Sequence, residues 1–475
     1  MIMKNLNFFQ FISFKKNRPL SFFWDQIIKR QRFWSNNFLK DLAGFRLTQD
    51  LIIDIDALAL RKSQWLSGDE LKKIQVARVG ALLSGASRLS LFWRERLKNS
   101  RINLKIFDDL SLLEKIEVLE KEVIQNDLKK IVSQYKNISD CLQDHTSGSS
   151  GTPFNFYIDQ SYILRSFGFC RRIFDWAGFQ SGDKIVRFGI RDRHGFARDY
   201  ICYPCQVAIN DVAAEYERRL KDLAILGSGQ KLVVFSYGSS LLKAAALATK
   251  NKIKLNLRSI IYSGDSLTQD ERKTIENTFG CRLFNCYACR DVGWIAQECE
   301  KGKLHVNSEW CYVEVVDQNG RNLPNGEKGR IIVTIFDNEI MPFIRYNTGD
   351  IGTLLNKPCA CGRTLPVLEF QGRTGEFLRL SDGRNFSLTD LSYFFEKWSG
   401  FVGGFQVIQK APDFLKINLI IKTESGFDES IFNQTFSKFL GEGIRLEICY
   451  PPEIPDVGGK RKVLISLSAI ENDCV

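Results

Sequence analysis

The sequence predicts an α/β chain with a large N-terminal body and a small α+β unit at its C-terminal end. Three observations predict it. The apolar runs Ile185-Val186, Leu232-Val233-Val234-Phe235 and Ile260-Ile261-Tyr262 each lead into Gly- or Ser-rich turn material and then a helical pattern, as in α/β layers. From Glu309 to Phe336 the texture becomes strand–turn–strand, with Asp317-Gln318-Asn319-Gly320 and Asn325-Gly326-Glu327-Lys328-Gly329 as turn signals. After the junction Gln371-Gly372-Arg373-Thr374-Gly375, roughly a hundred residues read as strand, turn, helix, two strands and a second helix, the size of a small domain.

Residues 1–140 read as mainly helical, and Leu110–Ile131 carries apolar residues three and four apart among Lys and Glu, which predicts an amphipathic helix. The net charge of +11 is unevenly placed. Residues 1–100 hold 18 Lys/Arg and 8 Asp/Glu, a balance of +10, so the rest carries only +1. This basic arm also holds Phe8, Phe9, Phe11, Phe14, Phe22, Phe23, Trp24, Phe33, Trp34 and Phe38. Basic and aromatic residues together suit peripheral docking on an anionic membrane; a helical layer packed on the body with its charges in water is the plainer reading. No nucleic-acid recognition motif accompanies the charge. No run approaches the roughly 20 apolar residues of a membrane span. The first residues lack a cleavable signal pattern, and thirteen cysteines without one point to reduced thiols or metal ligands in a cytoplasmic protein.

The first motif with chemistry is Thr146-Ser147-Gly148-Ser149-Ser150-Gly151-Thr152, closed by Pro153. Small residues let backbone N–H groups approach phosphate oxygens, and hydroxyls add donors. No Gly-Lys-Ser/Thr ending follows, so it is not a Walker A sequence. Alone it reads equally as a flexible linker. It opens an ordered series: Ser263-Gly264-Asp265, Tyr287-Ala288-Cys289-Arg290-Asp291, Tyr346-Asn347-Thr348-Gly349-Asp350, Gly372-Arg373 and Gly459-Lys460. From about Thr146 to Lys460 this series resembles the adenylate-forming ligase superfamily, most closely the phenylacetate–CoA ligase family and its capsule-biosynthesis branch.

The resemblance implies a large ATP- and acid-binding domain at residues 1–372 and a small mobile lid domain at 373–475. It implies that Thr146–Thr152 cradles the phosphates of ATP. Ser263, Gly264, Asp265 and Tyr287 line adenine, and Asp350 takes the ribose hydroxyls beside Arg373. Asp291 stands where the family has a glutamate that helps hold magnesium, and is one methylene shorter. Ala288 replaces a glycine. Arg290 is a cation for the α-phosphate, or a structural ion-pair residue. Lys460, on the Gly-rich loop of the lid, is the catalytic cation. A carboxylate attacking a phosphate brings two anions together, and an ammonium bridging both stabilises charge in transit.

Cys299, His305, Cys359 and Cys361 form a second constellation. Three thiols and an imidazole suit a closed structural zinc site, and one of only three histidines falls where it needs it. Ordinary buried thiols are the alternative.

The expected activity is formation of acyl-AMP and pyrophosphate from a carboxylic acid, aromatic by resemblance, with ATP and magnesium. The acyl group then passes to a thiol, coenzyme A first, with a carrier protein or an amine as other acceptors. A nucleotide-binding scaffold with residual motifs is the reading from another class.

Overall fold

The computed structural model describes residues 58–466 apart from 135–137, 139–140, 146–154, 181, 189–200, 203–211, 265–266, 374–376, 383, 388–389, 392–393, 396, 399, 423–425, 442, 455, 458–459 and 462. The phosphate-loop residues Thr146–Thr152, Asp265 and the basic aromatic arm lie outside the described residues.

Helix α1 (Gly68–Leu89) opens on a capping box, with Ser67 and Glu70 each accepting the other's backbone N–H. Ser90 ends it and caps α2 (Leu91–Asn99) through the Trp93 N–H. The helix expected over Leu110–Ile131 is broken. A 3-10 turn covers Leu110–Lys115, and α3 (Lys121–Ile131) begins only after a non-helical stretch. Within that stretch Leu119 donates its N–H to the Arg345 carbonyl (2.8 Å) and accepts from the Asn347 N–H (3.0 Å). Ile116 and Leu119 are fully buried. Pairing with a distant strand has overridden local helical periodicity.

A short antiparallel hairpin of β1 (Leu142–His145) and β2 (Asn155–Ile158) flanks residues 146–154 in sequence, and α4 (Gln160–Trp176) follows. Among the described residues the main sheet has eleven strands. Its parallel part contains β3 (Lys184–Phe188), β4 (Ile201–Cys202), β5 (Leu232–Tyr237), β6 (Leu257–Ser263) and β7 (Arg282–Cys289). Helices α5 (Val212–Leu226), α6 (Gly238–Lys250) and α7 (Gln269–Phe279) lie between them in sequence. Val186, Val234, Ile260 and Leu283 pack with Leu220, Ala244 and Ile275 of these helices. Ile185, Val233, Ile261 and Phe284 pack on Cys170, Ile173 and Phe174 of α4. Both faces are covered, which is why these strands read as continuous apolar runs.

The antiparallel part continues through β8 (Gly293–Glu298), β9 (Leu304–Val306), β10 (Cys311–Val316), β11 (Gly329–Ile335), β12 (Tyr346–Leu355) and β13 (Val367–Arg373), in the spatial order β7-β8-β9-β13-β12-β11-β10. A hydrogen bond from Tyr287 of β7 to Asp350 of β12 spans the three intervening strands, so this part is strongly curled.

Toward the C-terminus, β14 (Phe377–Arg379) and β15 (Asn385–Ser387) pair with each other. A four-stranded sheet combines β16 (Val402–Ala411), β17 (Phe414–Ile421), β18 (Arg445–Cys449) and β21 (Leu464–Ile465), with α8 (Glu429–Leu440) between β17 and β18 in sequence. Its core of Val407, Ile417, Phe432, Phe436 and Leu464 is separate from those of the main sheet. A ribbon of β19 (Asp456–Val457) and β20 (Lys460–Arg461) pairs Val457 with Lys460. Among the described residues no helix is long and apolar enough to cross a membrane.

Candidate functional site

The parallel strands end at Tyr237, Ser263 and Cys289, and the site lies at these carboxyl ends, where open α/β sheets bind ligands. Ser263 is buried and pairs with Tyr237. Gly264 follows with φ +83, and a methyl group there would sit 3.0 Å from the Tyr237 ring. A side chain is excluded twice over, by backbone conformation and by contact.

From β7, Tyr287 donates its hydroxyl to Asp350 Oδ2 at 2.6 Å. Burial and the Asp350 carboxylate push the Tyr287 hydroxyl well above its ordinary pKa, so it stays a donor. Asp350 pairs with Arg373 in the β12–β13 register, and Arg373 Nε lies 3.3 Å from Asp350 Oδ1. That carboxyl group is 1% exposed, and beyond this ion pair Oδ1 accepts no hydrogen bond among the described residues. A buried carboxylate oxygen left this way is costly unless a ligand completes it. Two hydroxyl donors of a ribose are suited to the task. Register shifts fall at Tyr287/Ala288 and Ile351/Gly352, beside the two residues that must be aimed.

Asp291 is 5% exposed and accepts a short hydrogen bond from the Tyr346 hydroxyl. Burial pushes its carboxyl up; the Tyr346 bond, Lys121 and Arg373 pull it back. This placement fits magnesium held through water better than direct ligation, since magnesium keeps much of its hydration shell. Arg290 pairs with Asp144 of β1 at 2.6 Å. The structural reading of Arg290 is thus present, and it ties the strand end at β7 to the entry of the phosphate-loop segment. Asp144 was not legible as a site residue, although its place two residues before Thr146 was a signal. Burial and nearby carboxylates push the Cys289 thiol well above its ordinary range, and its Sγ lies 3.7 Å from Asp350 Oδ2. Lys460 has its backbone in β20.

The four metal-ligand candidates also meet. The donor atoms of Cys299, His305, Cys359 and Cys361 all lie within 4.8 Å of one another. Cys299 and Cys359 Sγ are 3.7 Å apart, and Cys361 Sγ is 3.3 Å from His305 Nε2. A tetrahedron with Zn–S bonds of about 2.3 Å has S···S edges of about 3.8 Å. His305 donates Nδ1–H to the Leu365 carbonyl (2.9 Å), leaving the Nε2 lone pair facing the thiols, the usual second contact of a metal-bound imidazole. The Lys301 and Arg363 N–H groups donate to Cys299 and Cys361 Sγ at 3.3 and 3.4 Å, contacts that orient both sulfurs. The donor set fits zinc.

No family model matches the chain. A 134-residue alignment is 31% identical to the phenylacetate-coenzyme A ligase of Thermus thermophilus, covering 26% of this chain and 29% of that protein. A 105-residue alignment is 30% identical to the phenylacetate-coenzyme A ligase of Escherichia coli, covering 21% of this chain and 24% of that one. The matched region thus spans less than a third of these curated relatives. Across the fold, 2-hydroxyisobutyryl-CoA ligase in its postadenylation state with an acyl-AMP matches with TM-score 0.72 and 18% identity, over 84% of this chain and 90% of that one. ATP-bound MatB from Rhodopseudomonas palustris matches with TM-score 0.51 and 14% identity, over 71% and 69%. The chain has the α/β fold of the adenylate-forming CoA ligases.

Proposed function

We propose that this chain activates a carboxylic acid with ATP and passes the acyl group to the thiol of coenzyme A. The observation that carries the reading is Asp350: buried, hydrogen-bonded by Tyr287, and with its other oxygen held only by the ion pair to Arg373. The named relatives and the acyl-AMP- and ATP-bound neighbours support it.

In the first step an oxygen of the acid's carboxylate attacks the α-phosphorus. The bond from that phosphorus to its bridging oxygen breaks, and pyrophosphate leaves with the electron pair. Asp350 orients the ribose, the hydroxyl- and glycine-rich segment Thr146–Thr152 cradles phosphates, and Lys460 bridges the two reacting anions. Asp291 would hold magnesium through water, and the ion would supply charge neutralisation at the phosphates. In the second step the thiol loses its proton, its sulfur attacks the acyl carbon, and AMP leaves. A lid at residues 373–475 separates the two steps. An aromatic acid follows from the named relatives alone. The coenzyme A ligases named above favour coenzyme A over a carrier protein or an amine as acceptor, and they do not bear on a membrane contact.

Acid-dependent exchange of labelled pyrophosphate into ATP, run across a panel of aromatic and short aliphatic acids, tests the reading. Exchange with at least one acid is expected. ATP binding with no exchange on any acid favours a nucleotide-binding scaffold.

The Cys299–His305–Cys359–Cys361 cluster is proposed as a structural zinc site. It packs with Leu71, Trp176 and Leu365, and Arg363 stacks over Trp176 at 4.1 Å. Elemental analysis of protein purified without chelators is expected to give about one zinc per chain. His305→Ala should lose the metal and lower the melting temperature. A metal-free protein of unchanged stability would remove the assignment.

A further inference from the structure

A turn that no sequence motif marks holds the residues that follow Asp291. Residues 307–310 join β9 to β10 and are buried throughout. Trp310 donates its indole N–H to the Val292 carbonyl at 2.8 Å. Asn307 Nδ2 donates to the Trp294 carbonyl at 3.0 Å, and the Asn307 N–H donates to Ile295 at 2.8 Å. Between the held carbonyls sits Gly293, with φ +71; a methyl group built on it would lie 2.6 Å from the Tyr162 hydroxyl and 2.9 Å from the Trp310 ring. The chain is therefore fixed on each side of Gly293, and Asp291 directly precedes this clamped stretch.

Charge sets the orientation of the Asn307 amide. Arg172 of α4 is buried, and its Nη1 donates to both oxygens of Glu309 at 3.0 and 3.1 Å. Its Nη2 makes a short hydrogen bond to Asn307 Oδ1. A guanidinium only donates, so the amide turns its oxygen to Arg172 and its NH2 to Trp294. The guanidinium lies against the rings of Phe169 and Trp176 at 5.1 and 5.6 Å, and the Ser63 hydroxyl reaches Glu309 from the N-terminal layer. Apolar residues of similar volume often hold such an interior as well or better, because two ions must be taken out of water. A buried pair kept beside the turn that follows Asp291 points to fixed geometry more than to stability.

We propose that Asn307, its amide oriented by Arg172, is a positioning residue that holds Asp291 where it meets the water shell of magnesium. The inference rests on the reading of Asp291 as the magnesium carboxylate of an ATP site. The Tyr346 hydroxyl holds the carboxylate itself, and the Asn307–Trp310 turn holds the backbone from which it projects. The structural alternative is that the network only stabilises the fold. Groups that support a metal carboxylate change metal affinity, whereas a fold brace does not distinguish ATP with its ion from ATP without it.

Calorimetric titration of the full chain with ATP, once with magnesium and once with a chelator, separates the two. In the wild-type protein magnesium is expected to tighten ATP. Asn307→Asp keeps an acceptor for Arg172 and loses the donor to Trp294. It should weaken ATP by about tenfold with magnesium present, the scale of a lost supporting contact at a metal site, and leave the magnesium-free affinity unchanged. Trp310→Phe keeps a ring, loses the donor to Val292 and should act in the same direction. Ser63→Ala, which removes a contact of Glu309 away from the turn, should lower the melting temperature and leave the magnesium effect intact. A full magnesium effect in Asn307→Asp and Trp310→Phe, or one that falls in step with the melting temperature across all three variants, overturns the inference. Wild-type protein that binds ATP equally with and without magnesium defeats the role of Asp291 and the inference with it. Wild-type protein that binds no ATP defeats the ATP-site reading itself.

Discussion

Lys460→Ala is expected to lower acid-dependent pyrophosphate exchange by at least about 10²–10³-fold, with the melting temperature unchanged. That is the usual cost of removing one preorganised electrostatic group from a transition state. The size follows from the reaction: carboxylate and α-phosphate are both anionic, and neither is neutralised by attack of the one on the other. The segment Thr146–Thr152 contains no lysine, so it offers dipoles and hydroxyls alone. Lys460 lies in a short ribbon toward the far end of the chain, its backbone paired with Val457. An unchanged melting temperature separates a lost catalytic charge from a damaged fold. Conversion of chemically supplied acyl-AMP to the thioester should survive the substitution, because the charge clash belongs to the first step. Full exchange by Lys460→Ala would remove the residue from the mechanism.

Arg345→Met is expected to destabilise the fold by about 3–5 kcal/mol, the cost of leaving one partner of a buried ion pair uncompensated. Arg345 is 1% exposed and pairs with Glu314 at 3.1 Å. It also donates to the carbonyls of Ile116 (2.6 Å) and Gly320 (2.7 Å). Its φ of +50 is a left-handed conformation that a bulky residue rarely holds, kept in place by these contacts and by its N–H on Thr334 Oγ1 at 2.9 Å. Tyr346 comes next, and Asp350 lies four residues further along the same strand, so the pin sets the approach to Asp350. Adding Glu314→Leu should recover part of the loss, since the orphaned carboxylate is gone while the carbonyls remain unpaired. Urea unfolding of the three proteins measures this. An unchanged midpoint in Arg345→Met would show that the buried pair does not hold the strand.

What the sequence made legible follows the range of its signals. The parallel strands were visible because β5 and β6 are buried on both faces and so carry unbroken apolar runs. Tyr287, Asp350 and Arg373 were reached through the order of short motifs, and the structure brings their side chains together. The Cys299–His305–Cys359–Cys361 set was reached through a Cys-x-Cys pair and a scarce histidine. Leu110–Ile131 misled because its spacing fits a helix. What breaks it is a pairing with Tyr346, far along the chain, and no local pattern reports a partner at that distance. Asp144 was hidden for the same reason, since its meaning depends on Arg290 arriving from β7.

The central claim is that the acid attacks the α-phosphorus of ATP. With an acid that supports exchange, labelled with ¹⁸O in both carboxylate oxygens, the turnover products are read by mass spectrometry. Transfer of one labelled oxygen to AMP, with unlabelled pyrophosphate, is the expected result. Label in orthophosphate alongside ADP, or AMP carrying no label, would contradict it.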